Sequence, residues 1–238
     1  MNSPTLSERI LYEDNHLIVV NKLSGEIVQG DKTGDVPLVE LLKAYLKERY
    51  NKLGNVFCGV IHRIDRPVSG VVLFAKTSKA LSRMNGLVAA HQINKLYWAL
   101  VENGLPHEEE YCIDYMRKNE QLNKSFVSPK AQNGWQKAEL SYKIMGQSDR
   151  YFKVEVALYT GRHHQIRAQL AAHGAPIKGD TKYGARRSNR DGSIALHARS
   201  VAFEHPVSHE WIFIEAPVLN GKFRGVWGEK WGEKGEKG

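Results

Sequence analysis

The chain has 238 residues, 42% hydrophobic, 25% charged and 9% aromatic. That is enough apolar material for a packed core, and it excludes collagenous, coiled-coil and largely disordered classes. Lys and Arg exceed Asp and Glu to leave a net charge of +8, which points toward a polyanionic partner such as nucleic acid. Two cysteines, Cys58 and Cys112, exclude a disulfide scaffold and an all-cysteine zinc site. No apolar run approaches the roughly 18 residues of a membrane span. The opening MNSPTLSERI lacks the basic start and apolar stretch of a secretory signal, so the expected location is cytoplasmic, with no membrane partner.

In chain order, Ile10–Tyr12, a turn at Asp14-Asn15 and Leu17–Val20 read as a strand pair. A polar loop from Gly25 to Gly34 leads to a helix carrying Leu38, Leu41, Leu42, Tyr45 and Leu46, with Asp35 and Pro37 as start signals. Val71–Ala75 is a continuous apolar strand. A second helix starts at Thr77 or Ser78, with Ala80, Leu81, Met84, Val88 and His91 along one face. Residues 95 to 102, KLYWALVE, form a strand that turns Tyr97 and Ala99 one way and sends Leu96, Trp98 and Leu100 into the core. Residues 103 to 135 are polar and poorly periodic and read as a hairpin with long excursions. Strands follow at Glu139–Ile144 and Phe152–Leu158, the latter strictly alternating.

A third helix spans Arg162 to His173 and stops at Gly174, and late strands lie at Ile194–Phe203 and Trp211–Ile214. No linker interrupts this order, so residues 1 to 220 read as one α+β domain. Residues 221 to 238, GKFRGVWGEKWGEKGEKG, repeat a Gly-Glu-Lys unit and are expected to be disordered.

Three segments carry candidate chemistry. HRIDRPVSG, residues 62 to 70, sets one carboxylate, Asp65, between Arg63 and Arg66 in a Pro- and Gly-shaped turn. Flanking guanidinium groups favour the ionised form, suiting Asp65 to act as a nucleophile or an electrostatic anchor, while an ordinary surface ion pair accounts for the same string. TGRHHQIRAQLAAHGAPIKGD, residues 160 to 180, places Arg162, His163, His164, Gln165 and Arg167 on the first turns of a helix, with Ile166 and Leu170 on a buriable face. Anion recognition and a solvated basic helix end are both open. Tyr97 either projects into a site or sits in the core. Zinc is disfavoured: the histidines His62, His163, His164 and His173 form no His-Glu-x-x-His pattern and no cysteine pair accompanies them.

Together these segments resemble the RluA-type family of RNA pseudouridine synthases. The likeness runs from about residue 9 to 217, through ILYEDNHLIVVNKLSG, HRIDRPVSGVVLFAKT, KLYWALVENG, TGRHHQIRAQLAAHGAPIKGDTKYG and ALHARSVAFEHP. It departs from the family pattern at Val68 and His163, each in place of Thr, and at Lys22-Leu23 in place of Lys-Pro.

The resemblance implies an α+β pseudouridine-synthase-like domain with a long, mostly antiparallel, bent sheet flanked by helices. It implies Asp65 as the nucleophile attacking the target uridine, Tyr97 stacking on the base and helping to remove its carbon-5 proton, and Arg167 pairing with Asp65. His62, Arg63, Arg66, Arg162, His164, Gln165 and Ile166 become substrate-binding candidates. The isomerisation needs no cofactor or metal, and neither a phosphate-cradling Gly-x-x-x-x-Gly-Lys loop nor a dinucleotide fingerprint is present. The expected partner is RNA, acted on by a monomer. With the likeness beginning near residue 9, no added N-terminal RNA-binding domain is expected, which favours tRNA with ribosomal RNA as runner-up. Two other classes remain open: a non-catalytic RNA-binding or chaperone protein on the same scaffold, and a metal-dependent nuclease.

Overall fold

The computed structural model describes residues 3–31 and 33–219, so the segment 221–238 expected to be disordered lies outside the described residues. Contacts resolve two compact units where the sequence reads as one domain. One comprises residues 3–94 and 198–217, the other residues 95–197 with 218–219. The changes of unit at 94/95 and 197/198 lack the Pro- or Gly-rich composition that marks a linker, so the sequence does not announce them.

In the first unit, β1 (Ile10–Glu13) pairs antiparallel with β2 (Leu17–Lys22). The Asp14 carboxylate shapes the turn by accepting the His16 and Leu17 amides at 2.7 and 2.6 Å. Helix α1 (Leu38–Arg49) follows, then the short β3 (Gly59–Val60) and β4 (Ser69–Ala75). Strand β4 runs antiparallel to β2, with Lys22 opposite Gly70 and Leu17 opposite Ala75. Ile18, Val20, Val72 and Phe74 point to one side of these strands and pack with Leu38, Leu42 and Leu46 of α1. Each such buried side chain contributes about 1.5–3 kcal/mol. The α1 face differs from the expected one: Leu41 is exposed, and Val39 is buried in its place.

Helix α2 (Ser78–Ala89) begins as expected, with the Thr77 hydroxyl accepting the Ala80 amide at 3.1 Å. It buries Ala80 and Met84, whereas His91 lies past its end, exposed and with φ +56°.

Gly70 fixes a close approach. Its φ is +117°, and a Cβ there would stand 2.2 Å from the carbonyl oxygen of Ala198. Gly70→Ala therefore combines overlap with a left-handed backbone and is expected to cost about 3 kcal/mol. A lower midpoint in urea checks this; an unchanged midpoint contradicts it.

In the second unit, strands β5 (Asn94–Val101), β6 (Glu109–Asn119), β7 (Lys124–Ser128), β8 (Gln136–Gln147) and β9 (Phe152–Leu158) pair antiparallel in the order β5-β9-β8-β6-β7. The polar stretch 103–135 thus holds a long hairpin, β6–β7, closed at Glu120–Asn123. Helix α3 (Gln165–Ala172) is shorter than expected, because His164 takes φ +54° and precludes an earlier start. Gly174, at φ +84°, follows its end as anticipated.

The α3 side chains of Ile166, Ala168 and Leu170 are buried, Ala168 in a cluster with Met116, Ala138 and Tyr183. After Tyr183 the chain reaches β10 (Leu196–Glu204) and β11 (Trp211–Glu215), which pair antiparallel. Eleven strands and three helices among the described residues make the fold α+β. None of these helices is long and apolar enough to cross a membrane.

Candidate active site

The candidate residues divide between the units. His62, Arg63, Asp65 and Arg66 belong to the first, and Tyr97, Arg162, His164, Gln165, Ile166 and Arg167 to the second.

In the first unit Asp65 is half-buried at the start of a turn closed by the Val68 amide donating to the Asp65 carbonyl at 3.0 Å. The turn is clamped from the loop after β2. Gly25 N–H donates to Arg66 O at 2.8 Å, and the Ser24 hydroxyl donates to Pro67 O at 3.0 Å. Beneath them the Lys22 ammonium, fully buried, donates to the carbonyls of Leu23, Glu26 and Arg66 at 2.9, 2.8 and 3.2 Å. Burial lowers the Lys22 pKa to about 7, while the nearby charges of Glu26 and Asp65 favour its protonated form. Three carbonyl acceptors also match the three protons of an ammonium. Glu26 is held in turn by a fork from the buried Arg9, at 2.7 and 2.9 Å.

Lys22 thus couples electrostatically to Asp65 and fixes the backbone of its turn. The sequence reading passed over it; the signal was the lysine of the opening motif. The arginines flanking Asp65 act differently from expectation. Arg66 turns its guanidinium to Asp35 at 2.6 Å, and Arg63 is exposed. His62 accepts the Leu73 amide through Nε2 at 3.2 Å, a bond to β4 that requires the neutral ring.

In the second unit Tyr97 is 7% exposed and lies opposite Val156, on the face of the sheet that also carries Ala99 and Val154. Trp98 corrects an expectation: it leaves the core, placing its indole N–H on Glu155 at 3.1 Å and its ring beneath the Lys153 ammonium at 4.0 Å. Arg167, 5% exposed, forks onto the buried Asp180 through Nε and Nη2 at 2.7 and 2.9 Å. Its guanidinium also lies 5.2 Å from the Tyr183 ring centre.

Tyr183 is a hub. Its hydroxyl accepts the Ser125 amide at 2.8 Å and meets His164 Nδ1 at 2.9 Å, and the His163 ring stacks on His164 at 3.7 Å. Asp180 and Tyr183 were missed as site residues, although both stand in the quoted GDTKYG string.

The segment before α3 is built by Gln165 rather than by a donor-rich helix turn. Gln165 is buried; its Oε1 accepts from the Thr160 hydroxyl and the Arg162 amide at 2.7 and 3.0 Å, and its Nε2 donates to Glu139 O at 3.1 Å. Arg162 Nε donates to Lys137 O at 2.9 Å. Gln165 and Ile166 are both buried, and Gln165 braces the loop through these bonds.

Farther along α3, His173 Nε2 and Gln169 Nε2 both bond the buried Asp114, at 3.1 and 2.8 Å. The Asp114 bond raises the His173 pKa above 6.5 against the opposing effect of burial. Burial pushes Asp114 up, but bonds from His173 and Gln169 outweigh it and leave the carboxyl below 3.8. The His173 contribution to stability is therefore complete below pH 6.5 and is lost as pH rises through its raised value; that of Asp114 is present above pH 3.8 and lost as pH falls through its lowered value. His173→Gln is expected to flatten the loss of stability above pH 6.5 by roughly 1 kcal/mol, measured by urea unfolding across pH. An unchanged pH profile would contradict this.

Among the described residues, Glu110, Cys112 and His173 bring one possible metal donor each within 4.8 Å of one another, a grouping that includes neither His62 nor the His163–His164 pair. Burial beside Glu110 and Asp114 pushes the Cys112 thiol up to about 12, so a cation binding there must displace a thiol proton.

A model of the RNA pseudouridylate synthase family matches residues 16–172, well over half of the chain. The chain belongs to the RNA pseudouridylate synthase family. The family match contains Asp65, Tyr97 and Arg167, while Asp180 and Tyr183 lie beyond it. The ribosomal large subunit pseudouridine synthase C of Vibrio parahaemolyticus is 32% identical over 219 residues, covering 90% of this chain and 66% of its own. The tRNA pseudouridine synthase C of the same organism is 30% identical over 229 residues, covering 88% of this chain and 89% of its own. The chain thus spans 66% of the length of the ribosomal relative. Among solved structures, human RNA pseudouridylate synthase domain containing 4 matches with a TM-score of 0.74 at 21% identity, covering 90% of this chain and 89% of that one, which supports the shared fold.

Proposed function

We propose that this member of the pseudouridylate synthase family isomerises a uridine to pseudouridine in structured RNA, with Asp65 as the nucleophile. The reading is carried by Asp65 standing inside the family match on a turn fixed by Lys22, Ser24 and Gly25. In this scheme a carboxylate oxygen of Asp65 attacks the ribose anomeric carbon and the bond to uracil N1 breaks. The freed base turns, its carbon 5 bonds the anomeric carbon as the aspartyl bond breaks, and the carbon-5 proton leaves while N1 is reprotonated.

Tyr97 stacks on the base and assists that proton loss, and Arg167 is the third catalytic residue of the scheme. A carboxylate fixed by backbone clamps is pre-oriented for attack, which lowers the entropic part of the barrier. The target base must leave its stack, at a cost of a few kcal/mol. The net charge of +8 offsets that cost through phosphate contacts.

Proposed substrates are tRNA first and ribosomal RNA second; both occur in the names of relatives, and the tRNA-named relative aligns over 89% of its own length. Carbodiimide-stop mapping of cellular RNA, with and without the gene, tests the function. A stop that vanishes with the gene and returns with purified protein supports it. Identical maps, together with tight RNA binding by the protein, would favour a non-catalytic RNA-binding role instead.

A further inference from the structure

The second unit carries a basic cleft that the catalytic scheme does not use. Its volume is about 640 Å³, and it is lined by Arg150 and Tyr151 from the β8–β9 connection and by Lys178, Arg186, Arg187 and Asn189 from the segment between α3 and β10. Two carboxylates, Glu102 and Asp149, also face it, against four cationic side chains.

The cations are unevenly engaged. Glu102 is occupied by the Arg186 backbone amide at 3.1 Å, and the Lys178 ammonium lies 5.4 Å from the Tyr151 ring centre and 3.3 Å from Asn189 Oδ1. Among the described residues, the guanidinium groups of Arg150, Arg186 and Arg187 have no carboxylate partner, in contrast to Arg9 and Arg167, each forked onto an acid. Three exposed, unneutralised guanidinium groups around one concavity concentrate positive potential where a polyanion can enter, and their planar forks suit phosphate oxygens.

The cleft is tied to the strand that carries Tyr97. Lys178 N–H donates to Leu100 O at 2.8 Å, and Ile177 bridges Val101. Leu100 stands three positions after Tyr97 on β5, on the order of 10 Å along the strand.

We propose that this cleft docks the phosphate backbone of the substrate RNA at nucleotides flanking the target uridine, with Arg150, Arg186 and Arg187 as the phosphate-binding residues. The proposal rests on the reading of the chain as an RNA-modifying enzyme, and names where its substrate is held away from the reacting base.

The test compares wild type, Arg186→Ala/Arg187→Ala, and a control, Lys47→Ala/Lys79→Ala, which removes the same charge from exposed positions on α1 and α2. Affinity for a fluorescein-labelled, unmodified tRNA transcript is measured by anisotropy across salt concentrations, in full-length protein. The arginine variant is expected to bind about 10-fold more weakly near physiological salt. Its slope of log affinity on log salt should flatten by roughly 1.5–2, the loss of two phosphate contacts. The control should stay within about twofold of wild type.

Wild-type affinity and slope in the arginine variant would overturn the proposal. So would an equal loss in the control, which would mean diffuse charge, or lost affinity for tripolyphosphate with RNA affinity intact, which would mean a small-anion site. Binding is read without catalysis, so a wild-type protein that grips RNA through these arginines but forms no pseudouridine refutes the proposed activity and leaves the cleft standing.

Discussion

Asp65→Asn is expected to abolish pseudouridine formation, lowering turnover by at least about 10⁴-fold as removal of a catalytic nucleophile does. Affinity for RNA should remain within about twofold of wild type. The two effects separate because the turn is held through backbone groups: the Asp65, Arg66 and Pro67 carbonyls accept bonds that Asn leaves in place. The side chain is half-buried and asparagine matches its volume, so the thermal midpoint should move by only a degree or two. Single-turnover product analysis by mass spectrometry, alongside RNA binding by the same preparation, checks both parts. Residual turnover within tenfold of wild type would remove Asp65 from the nucleophile role.

Arg167→Ala is expected to strike stability and activity together. It leaves the Asp180 carboxylate, 2% exposed, without its guanidinium, and strips the Tyr183 ring of the cation beside it. Breaking a buried pair from one side costs roughly 3–5 kcal/mol. At about 2–4 °C per kcal/mol for chains of this size, the thermal midpoint should fall by on the order of 10 °C. Asp180→Asn separates the causes, since it damages the same pair but keeps the arginine. Under the proposed function Asp180→Asn retains measurable turnover at low temperature, and Arg167→Ala does not. Equal activity in the two variants would make Arg167 a purely structural residue.

What was legible in the sequence follows from how locally each feature is encoded. The Asp14 turn, the Thr77 cap and the alternation of β9 are written within a few residues, and the structure has them where they were expected. The start of α3 is not written that way. Helical spacing continues back through His163 and His164, but His164 adopts φ +54°, stacks on His163 and reaches Tyr183, nineteen residues away.

Trp98 escaped for a similar reason. An indole reads as core material, yet Glu155 and Lys153 across the strand pair give it polar partners at the surface. Lys22 was hidden by the opposite bias: a lysine between apolar strand and loop reads as exposed, and only the converging carbonyls of Leu23, Glu26 and Arg66 make its burial tolerable. The α+β class came from ordered motifs together, since no single strand or helix determines which strands become neighbours.

The account stands or falls on covalent participation of one carboxylate in moving uracil from nitrogen to carbon linkage. The direct measurement is release of tritium from carbon 5 of uracil in labelled, unmodified tRNA and ribosomal RNA transcripts, comparing wild type with Asp65→Asn at equal RNA occupancy. The account predicts one tritium released per pseudouridine formed by wild type and none above background by the variant. Tritium release by Asp65→Asn at the wild-type rate would contradict it.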